Sequence, residues 1–139
     1  MTLTRIVTVV GVPAPQGSKK YVGHRAGKPV LLESSAKVRP WRAAVAQAAA
    51  LHPPLPEGAV TVEVVFRLPR PKSLPKRVTT HTRKPDLDKL VRSTLDALSG
   101  VLYADDNRVD TLTARKTYAT PEEQPGATIC VTVNNQEPR

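Results

Sequence analysis

The sequence predicts a small α+β domain. Four short segments, 2–12, 60–66, 109–118 and 128–133, are rich in β-branched residues and read as strands. Two longer segments, 34–51 and 86–98, repeat apolar residues at helical spacing. The 139 residues suit one domain with one core. We expect residues 1–134 to form it, with 135–139 as a short tail.

The elements follow in order. Ile6, Val7, Val9 and Val10 mark the first strand, which the run Pro13-Ala-Pro-Gln-Gly-Ser ends. Lys19, Lys20, His24, Arg25 and Lys28 then form a basic loop or short hairpin. Ser34 or Ser35 is the expected cap of an Ala-rich helix reaching Leu51, with Trp41, Val45 and Ala48/Ala49 on one face and Pro40 in its first turn or at a restart. A Pro-rich connector leads to the strand Val60–Phe66. Residues 70–85 make a long loop with six cations and no acid; loops of that length in compact domains are usually functional or disordered. Leu87, Leu90, Val91, Leu95 and Leu98 define an amphipathic helix that Gly100 stops. Val109–Tyr118 and Thr128–Val133 close the chain as strands, the latter burying Cys130.

Composition removes several function classes. A single cysteine rules out an internal disulfide framework and a multi-cysteine zinc site. No apolar run approaches the roughly 20 residues that cross a bilayer, no basic amphipathic helix suggests a membrane surface, and the N-terminus lacks a signal-peptide pattern. The simple reading is an intracellular protein. The net charge of +9 is split: residues 1–84 hold fifteen Lys/Arg against three Glu, and residues 85–139 hold six against nine acids. That asymmetry points to a polyanionic partner rather than to solubility alone.

Five of the twelve acidic residues lie between Lys84 and Asn107: Asp86, Asp88, Asp96, Asp105 and Asp106. Asp86 and Asp88 are two residues apart, which inside a helix turns their side chains about 200° from each other. They can share an ion only if Asp86 precedes the helix. Pro85 and an N-cap role for Asp86 favour that, with Asp88 in the first turn. A strand after the helix can return Asp105-Asp106 to the helix start, where three or four carboxylates would meet. Carboxylates so close need a cation to ionise together, and hard oxygen ligands suit Mg²⁺. Taken singly, Asp86 and Asp88 fit helix capping worth about 0.3–1 kcal/mol each, and Asp105-Asp106-Asn107 fits a solvated turn. Their joint occurrence beside a basic loop favours a site. Asp96 fits a structural ion pair with Arg92.

The run Lys84-Pro-Asp-Leu-Asp-Lys-Leu-Val-Arg-Ser-Thr-Leu-Asp-Ala-Leu-Ser-Gly-Val-Leu-Tyr-Ala-Asp-Asp-Asn-Arg-Val resembles the RusA-type Holliday junction resolvases. Order and spacing agree over some twenty-five residues, and weaker similarity covers the opening strand, the helix around Trp41-Arg42, the strand ending in Arg-Pro-Lys, and Lys116. The resemblance implies a mixed sheet with helices packed mainly on one face. It implies a homodimeric, Mg²⁺-dependent endonuclease (Mn²⁺ a plausible substitute) that nicks four-way DNA junctions symmetrically, in the cytoplasm of a bacterial or phage-infected cell. Its metal aspartates fall on Asp86, Asp88 and Asp106, with Asp105 adjacent. The family lysine four positions after the second aspartate is Arg92 here, and the usual asparagine is Lys89. Arg92 can contact phosphate but is a poor proton donor, which leaves that role to Lys89 or Lys116. Lys19, Lys20, Lys72, Lys76, Arg77, Arg83, Lys84, Lys89 and Lys116 are the expected DNA contacts. Two other readings stand beside this one: a less structure-selective flap or single-strand nuclease, and a non-catalytic nucleic-acid-binding protein.

Other candidates are weaker. His24, His52 and His81 are scattered, and Ser18, Ser93 and Ser99 lack a nucleophile elbow. The order Gly17-Ser18-Lys19 is not that of a phosphate loop. Trp41 and Tyr103 read as core. Tyr21 is the best base-stacking candidate, with Tyr118 behind it.

Overall fold

The computed structural model describes residues 2–17, 19–25, 28–33 and 36–134; for 19–25 and 28–33 it describes the backbone. The order is β1 (Thr2–Val10), β2 (Lys19–Arg25), β3 (Lys28–Glu33), α1 (Val38–Ala50), β4 (Ala59–Leu68), α2 (Leu87–Leu98), a 3₁₀ turn (Asp106–Arg108), β5 (Val109–Tyr118) and β6 (Gly126–Asn134). β2 and β3 form an antiparallel hairpin at the expected basic segment. The other strands make one sheet in the order β1-β6-β4-β5. β6 runs antiparallel to both β1 and β4, while β4 and β5 are parallel, so the sheet is mixed. The expected α+β class is thus realised, and the tail 135–139 lies outside the described residues.

Period-two alternation selects the core face. Val7 and Val9, Val60 to Phe66 at every second position, and Ala127 to Val133 likewise are buried. Trp41, Val45 and Ala49 of α1 and Leu90 and Leu98 of α2 join them in one cluster. The residues between point to the opposite face, where Ile6 is exposed and most of those on β4 and β6 are half-buried. Cys130 takes that face too: it is half-buried, not buried as expected, because its neighbours Ile129 and Val131 occupy the core positions.

α1 starts later than the serine caps predict. Lys37 is its N-cap, without a side-chain cap bond, and Pro40 falls in the first turn where no backbone donor is lost. α1 meets α2 through a buried polar link: Trp41 Nε1 donates to Thr94 Oγ1 at 3.1 Å, and Thr94 donates to the Leu90 carbonyl at 2.8 Å. The Trp41 ring also packs on Phe66, 6.4 Å between centroids.

A Thr94→Val substitution keeps the shape but orphans the indole N–H. It is expected to cost about 1–3 kcal/mol, read as a lower midpoint at unchanged m-value in urea unfolding.

Candidate metal and nucleic-acid site

The start of α2 is built as the spacing requires. Asp86 is the N-cap with extended backbone (φ −69°, ψ 138°), and Asp88 lies in the first turn. Asp86 makes no side-chain cap bond, so its carboxylate is not consumed in holding the helix. Its ion pair among the described residues is loose: Lys89 Nζ stands 4.0 Å away, and the Asp86 side chain is 59% exposed. The preceding turn is held from the sheet. Lys116, on β5 beside Phe66 of β4, donates from Nζ to the carbonyls of Arg83 at 2.6 Å and Pro85 at 2.9 Å. One ammonium therefore fixes the backbone on which Asp86 sits.

The segment leaving β1 is also laid along α2. Ser93 Oγ donates to the Ala14 carbonyl at 2.7 Å, Gln16 N–H to the Lys89 carbonyl at 3.0 Å, and Arg42 to Gln16 Oε1 at 3.2 Å. Lys19 and Lys20 open the β2–β3 hairpin, three and four residues after Gln16 in the sequence.

Asp105 and Asp106 stand elsewhere. Gly100, at φ +79°, takes the left-handed conformation that ends the helix, and its N–H bonds the Tyr103 carbonyl at 2.8 Å. The turn closes so tightly that Ser99 Oγ bonds Asp105 Oδ1 at 3.5 Å. The pair thus stays at the far end of α2, and the return to the helix start expected from sequence does not occur within one chain. From Asp86 to Asp96 the helix already rises about 15 Å. Among the described residues no three carboxylate, histidine or cysteine side chains come close enough to hold a metal ion. Asp96 pairs across to Arg42 of α1 at 3.9 Å, not with Arg92 as its spacing suggests.

The far end is electrostatically loaded. Burial first, then the facing Asp96 and Asp105, raise the Asp106 carboxyl above its ordinary range, against the bond it accepts from the Tyr103 hydroxyl at 3.2 Å. Burial and Asp106 raise the Tyr103 hydroxyl in turn. A cation beside Asp106 would relieve this repulsion.

The basic loop is braced rather than loose. Arg70 donates to the carbonyls of Val78 at 2.8 Å and Pro75 at 2.7 Å and lies over the Tyr118 ring at 5.4 Å. Leu74 is buried. His81 stacks on Tyr118, with 4.3 Å between centroids, so Tyr118 is occupied within the fold. Lys72, Lys76, Arg77, Arg83 and Lys84 remain exposed, as does Arg92, one turn beyond Asp88. Two of the expected DNA contacts are engaged within the fold: Lys89 is half-buried and paired with Asp86, and the Lys116 ammonium is bonded to backbone. Lys19 and Lys20 are placed by backbone alone, as is Tyr21.

Burial, followed by the charge of Lys116, lowers the His81 pKa below 6.5. A depressed folded value means that protonation favours the unfolded chain, so this stability is present above pH 6.5 and lost as pH falls toward the folded value. His81→Phe keeps a ring against Tyr118. Urea unfolding across pH 7 to 5 should show a shallower acid decline in this variant than in the parent; equal slopes would refute the assignment.

The chain matches the family Endodeoxyribonuclease RusA over residues 11–132. A relative from Bacillus subtilis (strain 168), the uncharacterized protein YqaN, is 32% identical over 136 residues, covering 89% of this chain and 92% of its own length. No described helix is long and apolar enough to cross a membrane. With a family match across most of its length and the acidic motif inside it, the chain belongs to the RusA endodeoxyribonuclease family.

Proposed function

We propose that the protein is a divalent-metal-dependent endonuclease that resolves four-way DNA junctions. The observation that carries this is the start of α2: two carboxylates, uncommitted to capping, on a turn pinned by Lys116 and flanked by exposed cations. Its oxygen-only donors, with the raised Asp106, fit a hard divalent ion such as Mg²⁺, for which Mn²⁺ is a plausible substitute. Asp86, Asp88 and Asp106 would hold it, with Asp105 adjacent. When bound, such an ion supplies an activated water and stabilises the leaving oxygen.

The separation of the acids along α2 favours a homodimer. A second copy related by a two-fold axis across the middle of α2 sets the partner's Asp106 at the Asp86–Asp88 end, and the same again at the opposite end. Two equivalent sites suit symmetric cutting of a four-armed substrate. Lys72, Lys76, Arg77, Arg83, Lys84 and the Lys19–Lys20 strand would hold backbone phosphates, and Arg92 a phosphate near the acids. Lys89, whose ammonium pairs with Asp86, is the favoured proton donor. Lys116 acts as a positioning residue, because its ammonium is engaged.

Cleavage of a synthetic four-way junction against linear duplex and flap controls tests the reading. Mg²⁺-dependent paired nicks on the junction are expected; equal cutting of linear duplex would remove junction selectivity, and folded protein that binds without cutting would favour a non-catalytic role. Asp88→Asn should abolish cutting, a loss of at least about 100-fold, while junction binding persists. Lys116→Met should lower kcat about 10–100-fold and raise the Mg²⁺ concentration for half-activity; a parental metal response would deny the positioning role.

A further inference from the structure

A cavity of about 480 Å³ lies against the start of α2, bounded by the segment leaving β1, the end of β4 and the loop before α2. Its walls include Val12, Pro13, Leu68 and Pro69, and Lys37, Lys84 and Lys89 line it as well. Asp86 lies on its edge, so whatever fills it touches the proposed cutting site. His81 lines it too, and His81 Nδ1 is buried with no hydrogen-bond partner among the described residues.

We propose that this cavity receives a single unstacked nucleotide of the DNA, next to the phosphate cut at Asp86. Its size falls in the roughly 300–1,000 Å³ range of small-ligand sites, where apolar walls carry a few polar groups. Apolar walls suit the faces of a nucleobase, and three ammonium groups suit the phosphates on either side of it. This charge pattern disfavours an apolar peptide, which offers no anion to Lys37 and Lys84. Bases beside a branch point have lost part of their stacking, so extruding one there costs less than in continuous duplex. The cavity would thus favour branched over linear DNA by the lower cost of filling it. The inference deepens the nuclease reading, since it names what lies beside the reacting phosphate.

The test uses the full chain and a four-way junction carrying 2-aminopurine at each position flanking the branch point in turn, with Ca²⁺ replacing Mg²⁺ to prevent cutting. Binding should raise the fluorescence severalfold at one position in each cut strand. Val12→Met, from a position 47% exposed, extends a side chain into the cavity. It should abolish that rise while junction affinity changes by less than about threefold, because most affinity lies in phosphate contacts elsewhere. Lys37→Gln, a milder change on an exposed side chain, should weaken the rise. Mg²⁺-dependent junction cutting with no fluorescence rise at any position, or a rise unchanged in both variants, would overturn the proposal. A rise lost in Val12→Met, together with no cutting in Mg²⁺, would leave the cavity assignment standing and remove the nuclease reading.

Discussion

Parallel pairing of β4 with β5 forces the chain to travel back the full length of the strand before it can pair again. α2 is that return, and the candidate site inherits its geometry from it. The helix must begin near the end of β4 and finish near the start of β5. Asp86 and Asp88 therefore lie at one end of the domain, and Asp105 and Asp106 at the other. The same constraint brings the last turn of β5 back beside the start of α2, where Lys116 meets the carbonyls of Arg83 and Pro85.

The polar contacts around α2 fall into two kinds. Thr94 with Trp41, and Ser93 with Ala14, are buried bonds that fix the helix against α1 and against the segment leaving β1. Lys116 bonds backbone outside the helix, and Asp86 is left without a cap partner. A helix start rigid in backbone but free in its carboxylates is what a ligand-holding turn needs, because the ordering is complete before anything binds. At the other end, burial and then the nearby Asp96 and Asp105 raise the Asp106 carboxyl, although Arg42 pairs with Asp96.

Much of this was legible in the sequence. Alternation gave the strands of the sheet, and the Leu87 to Leu98 spacing gave α2 with its Asp86 cap and its Gly100 stop. Proline and charge marked the basic loop. Tertiary choices were not legible. Asp96 had a helical partner at the right spacing in Arg92, yet the closeness of α1 offered Arg42 instead. Lys116 read as a phosphate contact because nothing local reveals which carbonyls a strand lysine will meet. Ser93 read as a failed nucleophile, although its hydroxyl anchors a proline-rich segment that has few amide donors of its own. The fold of Asp105-Asp106 toward the wrong end of the helix depends on the tightness of the turn after Gly100, which spacing leaves undetermined.

The central claim is that one working site draws Asp86 and Asp88 from one copy and Asp106 from another. Heterodimers of Asp88→Asn and Asp106→Asn, purified through two different tags, test it most directly. In a site shared between copies, each heterodimer retains one intact set of acids, so single-strand nicking of the junction should return although both parent homodimers are inactive. Heterodimers as inactive as their parents would contradict the account, since that is the result expected when each chain builds its own site.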